Sequence, residues 1–242
     1  MGWLASREVK ASTQAHSYRF RGGTIRVAVW HGRPDVAAIA LRGSDAPSSR
    51  VFERLLDQLR DDGFREVLTN AVGPNASVGL VDAGFSARGH LHLLQHSLKE
   101  LPPRTRRTRR ANRADRADIV AIDAAAFDEF WRFDALALRE AARATPRSHT
   151  LVGPRDRAAS GYGLFGRAGP TGYVQRLAVA PAAQGEGIGR ALLIDGLHWL
   201  RTHGARAVFV NTQENNRRAL DLYLRTGFAR LPVGLCIMGR EL

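Results

Sequence analysis

Cysteine is almost missing from this chain. Cys236 is the only one in 242 residues, so no disulfide can close within it. It lies in the apolar run Val233 to Met238 and reads as a small buried hydrophobe. Lysine is nearly as scarce, with Lys10 and Lys99 alone, which leaves the positive charge to arginine. No apolar run reaches the length of a membrane-spanning helix and no secretory pattern opens the chain. A soluble, cytoplasmic protein without a membrane partner is expected. No Gly-Lys-Ser/Thr occurs, which excludes a nucleotide-binding P-loop. The opening residues fit a myristoylation pattern through Gly2 and Ser6, but so short a pattern often matches by chance. The apolar content is ordinary and suits one large globular domain or two small ones.

The formal net charge of +13 invites a nucleic-acid reading. Two features weaken it. Arginine dominance fits a GC-rich coding bias as well as phosphate contact, and Arg104 to Arg116 alone holds seven arginines against Asp115, a net +6. Prolines 102 and 103 precede this run, so it reads as a basic linker, 104–116. A coenzyme phosphate, an acidic protein or nucleic acid could meet it. A solvated connection, with part of it forming a first strand, is the plain alternative.

The stretch from Tyr173 to Leu193 organises the rest. Tyr173 to Val179 is short and apolar, closed by Pro181, and reads as a strand. Gln184-Gly185-Glu186-Gly187-Ile188-Gly189 is a loop, and from Ile188 the period becomes helical, with Gly189, Leu193, Leu197 and Leu200 on one stripe. Glycines let backbone N–H groups come close to a ligand, and the helix N-terminus behind them favours negative charge. A pyrophosphate fits such a turn. The loop's spacing is not the G-x-G-x-x-G of a dinucleotide fold.

Downstream, Arg206 to Val210 reads as a buried parallel strand, followed by Asn216-x-x-Ala219-x-x-x-Tyr223 and Gly227-Phe228. Gln-x-x-Gly-x-Gly followed by Asn-x-x-Ala-x-x-x-Tyr and Gly-Phe resembles the GNAT acetyltransferase superfamily in motif order and spacing. The resemblance runs from about Arg113 to the C-terminus. It implies an α/β fold with a mixed, mostly antiparallel sheet, splayed central parallel strands and flanking helices.

Earlier in the chain, Thr24 to Trp30 and Val36 to Leu41 read as a hairpin, and Ser49 to Asp61 as a helix with Phe52, Leu55, Leu56 and Leu59 on one face. A strand at Phe64 to Asn70, a short helix at Asn75 to Ala83, Gly84-Phe85 and another strand from Leu91 follow. Helix, glycine, strand ending in Asn, short helix and Gly-Phe recur from Leu200 to Met238, with Asn70 answering Asn211. An internal duplication is inferred: a degenerate GNAT-like domain at 1–103 and a catalytic domain at 117–242. The first copy has Arg42 to Pro47 in place of a glycine-rich loop, and Leu80, Val81 or Asp82 in place of Tyr223.

The resemblance also implies an activity, the direct transfer of an acetyl group from acetyl-CoA to a primary amine of a protein N-terminus or a small molecule, with no metal. Leu177, Ala178 and Val179 would pair with the pantetheine arm. Gln184, Gly185, Gly187, Ile188, Gly189 and Arg190 would surround the pyrophosphate. Asn216 would bond the arm and Tyr223 would protonate the leaving thiolate; seven apart, they are expected on one helix face. Trp131, Phe133 and Asp134, between two expected helices (Asp118 to Phe130 and Ala135 to Ala144), are candidates for acceptor contact, with core packing the alternative for Phe133. Many protein-acetylating members carry glutamate where Asn211 stands. Asparagine is no base, nor is Gln175, which leaves Glu129, Asp134, Glu214 or a water chain. A non-catalytic acyl-CoA-binding or interaction module is the second reading.

Overall fold

The computed structural model describes residues 16–43, 48–154 and 158–242. The Gly2/Ser6 pattern and most of the Arg42 to Pro47 segment lie outside the described residues. In chain order the strands and helices are β1 (His16–Phe20), β2 (Gly23–Trp30), β3 (Arg33–Gly43), α1 (Ser49–Asp61), β4 (Glu66–Thr69), α2 (Pro74–Asp82), β5 (Ser86–His96), β6 (Arg109–Arg110) and α3 (Arg116–Ala126). There follow α4 (Ala135–Arg143), β7 (Arg147–Gly153), β8 (Gly161–Ala168), β9 (Thr171–Val179), α5 (Ile188–Thr202), β10 (Ala207–Gln213), α6 (Arg217–Arg225), β11 (Ala229–Arg230) and β12 (Leu235–Glu241). Two compact units result: one of the described residues up to Leu91 together with Val233–Leu242, and one of His92–Pro232. The sequence-order division at 103 and 117 therefore differs from the division by packing, because the last strand pairs with the first unit.

In the first unit the strand order is β1-β2-β3-β4-β12-β5. Strands β3 and β4 are parallel, while β12 is antiparallel to both β4 and β5. Its core gathers Ile25, Ile39, Phe52, Leu56, Leu59 and Leu80. Helix α1 keeps the bounds expected from its period, since Phe52, Leu55, Leu56 and Leu59 are all buried.

In the second unit the order is β10-β9-β8-β7-β6, and β11 pairs with the Leu94–Gln95 end of β5. Helix α5 is buried almost all round, with Leu192, Leu193, Ile194, Leu197 and Leu200 fully enclosed. Each such side chain contributes roughly 1.5–3 kcal/mol on leaving water, so α5 anchors this unit. Leu151, Phe165 and Val174 pack on its side of the sheet; Val152, Tyr162 and Ala178 face Ile119 and Ile122 of α3.

Two irregularities in β9 prepare the site. Val174 and Ala178 are four apart, which a regular strand puts on one face, yet they join different cores. The register explains this: Leu164 opposes Arg176 and Phe165 opposes Val174, so Gln175 is an extra, bulged residue that reverses the alternation. In addition, the parallel pairing of β9 with β10 stops at Tyr173–Phe209, although both strands run on to Val179 and Gln213. The two strands therefore splay.

Candidate active site

A cavity of about 680 Å³ opens in the second unit beside the end of β9. Leu177, Ala178 and Val179 line one side; they pair with β8 at Gly163, Tyr162 and Gly161, and their other edge is not bonded to β10. Gln184, Gly185, Gly187, Ile188, Gly189 and Arg190 line the loop end, while Asn216 and Tyr223 line the wall from α6. All eleven coenzyme-site and catalytic candidates thus meet in one cavity.

Two glycines set the backbone path of the loop. Gly185 and Gly187 have φ of +96° and +79°, which side chains with a Cβ disfavour. A Cβ on Gly185 would meet nothing within 4 Å, so that glycine serves backbone shape rather than space. Gly187 begins α5 with no side-chain cap, and the first intrahelical bond is Ala191 N to Gly187 O at 3.0 Å. The amides of Ile188, Gly189 and Arg190 precede that bond and have no carbonyl partner within the helix. Gln184 ties the loop to its neighbours, donating to Val179 O at 3.0 Å and accepting from the Arg218 guanidinium. Among the described residues, Arg190, Arg218 and Arg225 line the cavity against one carboxylate, Asp221. Free amides, a helix N-terminus and this cationic excess fit a polyanionic ligand.

Asn216 is the N-cap of α6, not a member of it, and its Oδ1 accepts from Ala219 N at 3.1 Å. The expected shared helix face is therefore replaced by a cap and a helical residue that both reach the cavity. Tyr223 is 5% exposed. Burial pushes its phenol pKa up, and the charge of Arg176 opposes this in part. The hydroxyl is protonated at neutral pH and can donate.

The four acceptor candidates do not line the cavity. Asp134 caps α4, accepting from Ala137 N at 2.7 Å. Phe133 stacks on Arg176, whose Cζ lies 3.9 Å from its ring centroid, and the Trp131 carbonyl accepts from Arg176 at 2.7 Å. Asn211 is exposed on β10. Of the other side chains considered there, the Glu214 carboxylate lies 3.9 Å from His92, and the Gln175 amide donates to Ala141 O at 2.7 Å.

What the residues did not disclose is the group that holds this segment. Asp123 is completely buried and accepts from Arg176 Nε at 2.7 Å, Arg176 Nη2 at 2.8 Å, Tyr162 OH at 2.5 Å and Phe133 N at 2.5 Å. Phe127, which lines the cavity, covers the other face of Arg176 at 3.6 Å. A charged residue on each of two apolar patterns, the α3 stripe and β9, was the available signal.

Residues 116–228 match the family model described as the acetyltransferase (GNAT) family. They are a GNAT domain. Sixty-four residues of this chain are 48% identical to mycothiol acetyltransferase of Thermomonospora curvata, covering 26% of this chain and 22% of that protein. A 126-residue match to mycothiol acetyltransferase of Frankia alni is 33% identical and covers 45% and 38%. The chain thus spans well under half the length of these relatives. Among solved structures, a tandem GNAT protein from the clavulanic acid biosynthesis pathway superposes with a TM-score of 0.62 at 14% identity, over 91% of this chain and 79% of that one. A GCN5-related N-acetyltransferase from Kribbella flavida gives 0.63 at 12%, over 95% and 90%. Similarity at that identity speaks for the fold, and it extends beyond the GNAT domain into the first unit. No helix among the described residues is long and apolar enough to cross a membrane, and no group of three or more His, Cys, Asp or Glu among them could hold a metal ion.

Proposed function

We propose that this protein is an N-acetyltransferase that passes an acetyl group from acetyl-CoA directly to the primary amine of a small molecule. The observation that carries the reading is the convergence of three features on one cavity: the unpaired edge of β9, the uncapped N-terminus of α5 and the buried phenol of Tyr223. Acetyl-CoA supplies a thioester, an acyl group activated toward amines. In this reading the Leu177–Val179 backbone holds the pantetheine arm as an added strand partner, and the α5 amides with Arg190 and Arg218 hold the phosphates. Backbone N–H at the splay polarises the thioester carbonyl. The amine nitrogen forms the C–N bond as the C–S bond breaks; Tyr223 gives its proton to the departing sulfur, and the amine loses one to water. Cys236 lies on β12 and is not among the described residues that line this cavity, which favours direct transfer over an enzyme-bound acyl group.

The mycothiol acetyltransferase relatives favour a small-molecule acceptor over a protein N-terminus. Leu80 stands in the first unit where Tyr223 stands in the second, so we assign the first unit no acyl transfer of its own.

Two measurements on the full chain test the reading: calorimetric titration with acetyl-CoA, and thiol release with small primary amines beside peptides carrying free N-termini. One bound acetyl-CoA with turnover of a small amine is expected. Turnover of peptides alone would move the acceptor to protein N-termini, and absence of binding would end the reading. A second reading has its own observation: among the described residues Asp221 is the only carboxylate lining the cavity, and no imidazole does. Binding without turnover of any amine would favour an acyl-CoA-binding module.

A further inference from the structure

Asp195 lies in the middle of α5 at 2% exposure. A carboxylate so enclosed is costly unless its lone pairs are used. Here they accept from three neutral donors, all in the arginine-rich segment: Thr105 N at 3.1 Å, Thr105 Oγ1 at 3.1 Å and Thr108 Oγ1 at 2.7 Å. The segment is therefore fastened rather than trailing. Between the two threonines Arg106 has φ of +54°, a left-handed conformation that a residue with a Cβ adopts at a cost, and the Arg107 amide donates back to Thr105 Oγ1 at 3.3 Å.

This turn delivers Arg107 to the loop of the site. Its Nη1 lies 3.8 Å from where a Cβ on Gly187 would stand, and Gly187 begins α5 and lines the cavity. Arg107 is exposed, and among the described residues no carboxylate pairs with it, whereas nearby Arg109 is taken by Asp115. A cation at a helix N-terminus has the wrong sign for the helix dipole. Holding one there with a buried carboxylate is favourable once an anion lies between guanidinium and helix.

We infer that Arg107 contacts a phosphate of the nucleotide-bearing thioester, and that Asp195, with Thr105 and Thr108, is the positioning group that places it. The inference rests on the acetyl-CoA reading above. Either phosphate group of that ligand, the pyrophosphate or the 3′-phosphate, offers the same chemistry.

The test is a titration series on the full chain with acetyl-CoA, its 3′-dephospho analogue and S-acetylpantetheine, at several salt concentrations. Arg107→Ala should weaken acetyl-CoA about tenfold, as expected for one charged hydrogen bond, and make the salt dependence shallower. S-acetylpantetheine affinity should not change, and Arg107→Lys should recover part of the loss. If the dephospho analogue loses as much, the contact is to the pyrophosphate; if it is insensitive, the contact is to the 3′-phosphate. Asp195→Asn should weaken acetyl-CoA in the wild-type background and have no further effect beside Arg107→Ala. Should Asp195→Asn fail to fold, Thr105→Ala carries the same cycle. Acetyl-CoA binding within twofold of wild type in Arg107→Ala would overturn the inference, as would an Asp195→Asn effect that persists without Arg107. A wild-type protein that binds none of the three ligands would instead remove the acetyl-CoA reading, and this inference with it.

Discussion

Tyr223 and Phe228 close the end of α6 on each other: the carbonyl of the first accepts the amide of the second at 3.1 Å, and their rings lie 5.5 Å apart. Gly227 between them has φ of +97°. Leu80 and Phe85 make the same bond at 2.9 Å around Gly84 at +77°. This helix ending, with an amide bonding five residues back through a left-handed glycine, fixes Leu80 as the counterpart of Tyr223. The second unit thus differs from the first by a phenol at a buried helix end. Tyr223→Phe removes only the hydroxyl. Turnover should fall about 10²-fold or more, the range of general acid catalysis, while the acetyl-CoA dissociation constant stays within about twofold of wild type. Steady-state kinetics beside calorimetry check this, and unchanged turnover would take Tyr223 out of the chemistry.

Asp123→Ala should be strongly destabilising. It leaves the Arg176 guanidinium, buried between Phe127 and Phe133, without its carboxylate. Breaking a buried pair from one side costs roughly 3–5 kcal/mol, to be read as a lower urea midpoint. The double replacement Asp123→Leu with Arg176→Met should recover much of the loss, since neither charge is then stranded. A loss under about 1 kcal/mol for the single variant would show that water reaches this network.

Gly196→Ala should also destabilise, for a steric reason. A Cβ there would fall 2.1 Å from Phe165 Cζ, and Phe165 is fully buried. Forcing a methyl into a filled core costs about 1–3 kcal/mol. Pairing it with Phe165→Leu should restore part of the stability in thermal unfolding.

Stability should fall with acid through His149. This imidazole stacks on Trp199 at 4.9 Å, and burial, followed by the charges of Arg110, His203 and Arg104, lowers its pKa from 6.5 to about 4. The folded state therefore holds His149 neutral. Its contribution is complete above pH 6.5 and is lost as the pH drops toward 4, where the unfolded chain gains a proton first. His149→Phe keeps a ring on Trp199 without that linkage. Its unfolding temperature should depend less steeply on pH between those values than that of wild type; parallel curves would exclude His149 as the source.

The periods of apolar residues made the scaffold readable. Helix α1 ran over the expected residues because its four-residue stripe and Gly63 at φ +93° are local properties. The glycine loop was readable for the same reason. Other features were not, because they depend on pairing distant in sequence. Helix α3 ends at Ala126, shorter than the apolar spacing to Phe130 suggested, since Phe127 turns extended to cover Arg176. Trp131 and Phe133, which stood out as aromatics beside charges, serve the same cation. Asp123 and Asp195 lay unnoticed on helix stripes; each is buried because its partner comes from another element, Arg176 in one case and the Thr105–Thr108 turn in the other. The bulge at Gln175 leaves no mark in composition, yet it decides which side of β9 faces α3.

Strand β12 lies between β4 and β5, with Arg240 beside Val67 and Leu235 beside Leu91. A ribosome translates the whole of His92–Pro232 before it reaches that strand. Without that strand the first unit shows two unfilled strand edges, on β4 and β5, which are templates for pairing with another chain. The early strands of this protein wait on a late one, and a nascent chain halted before Leu235 would offer those edges to chaperones or to its neighbours.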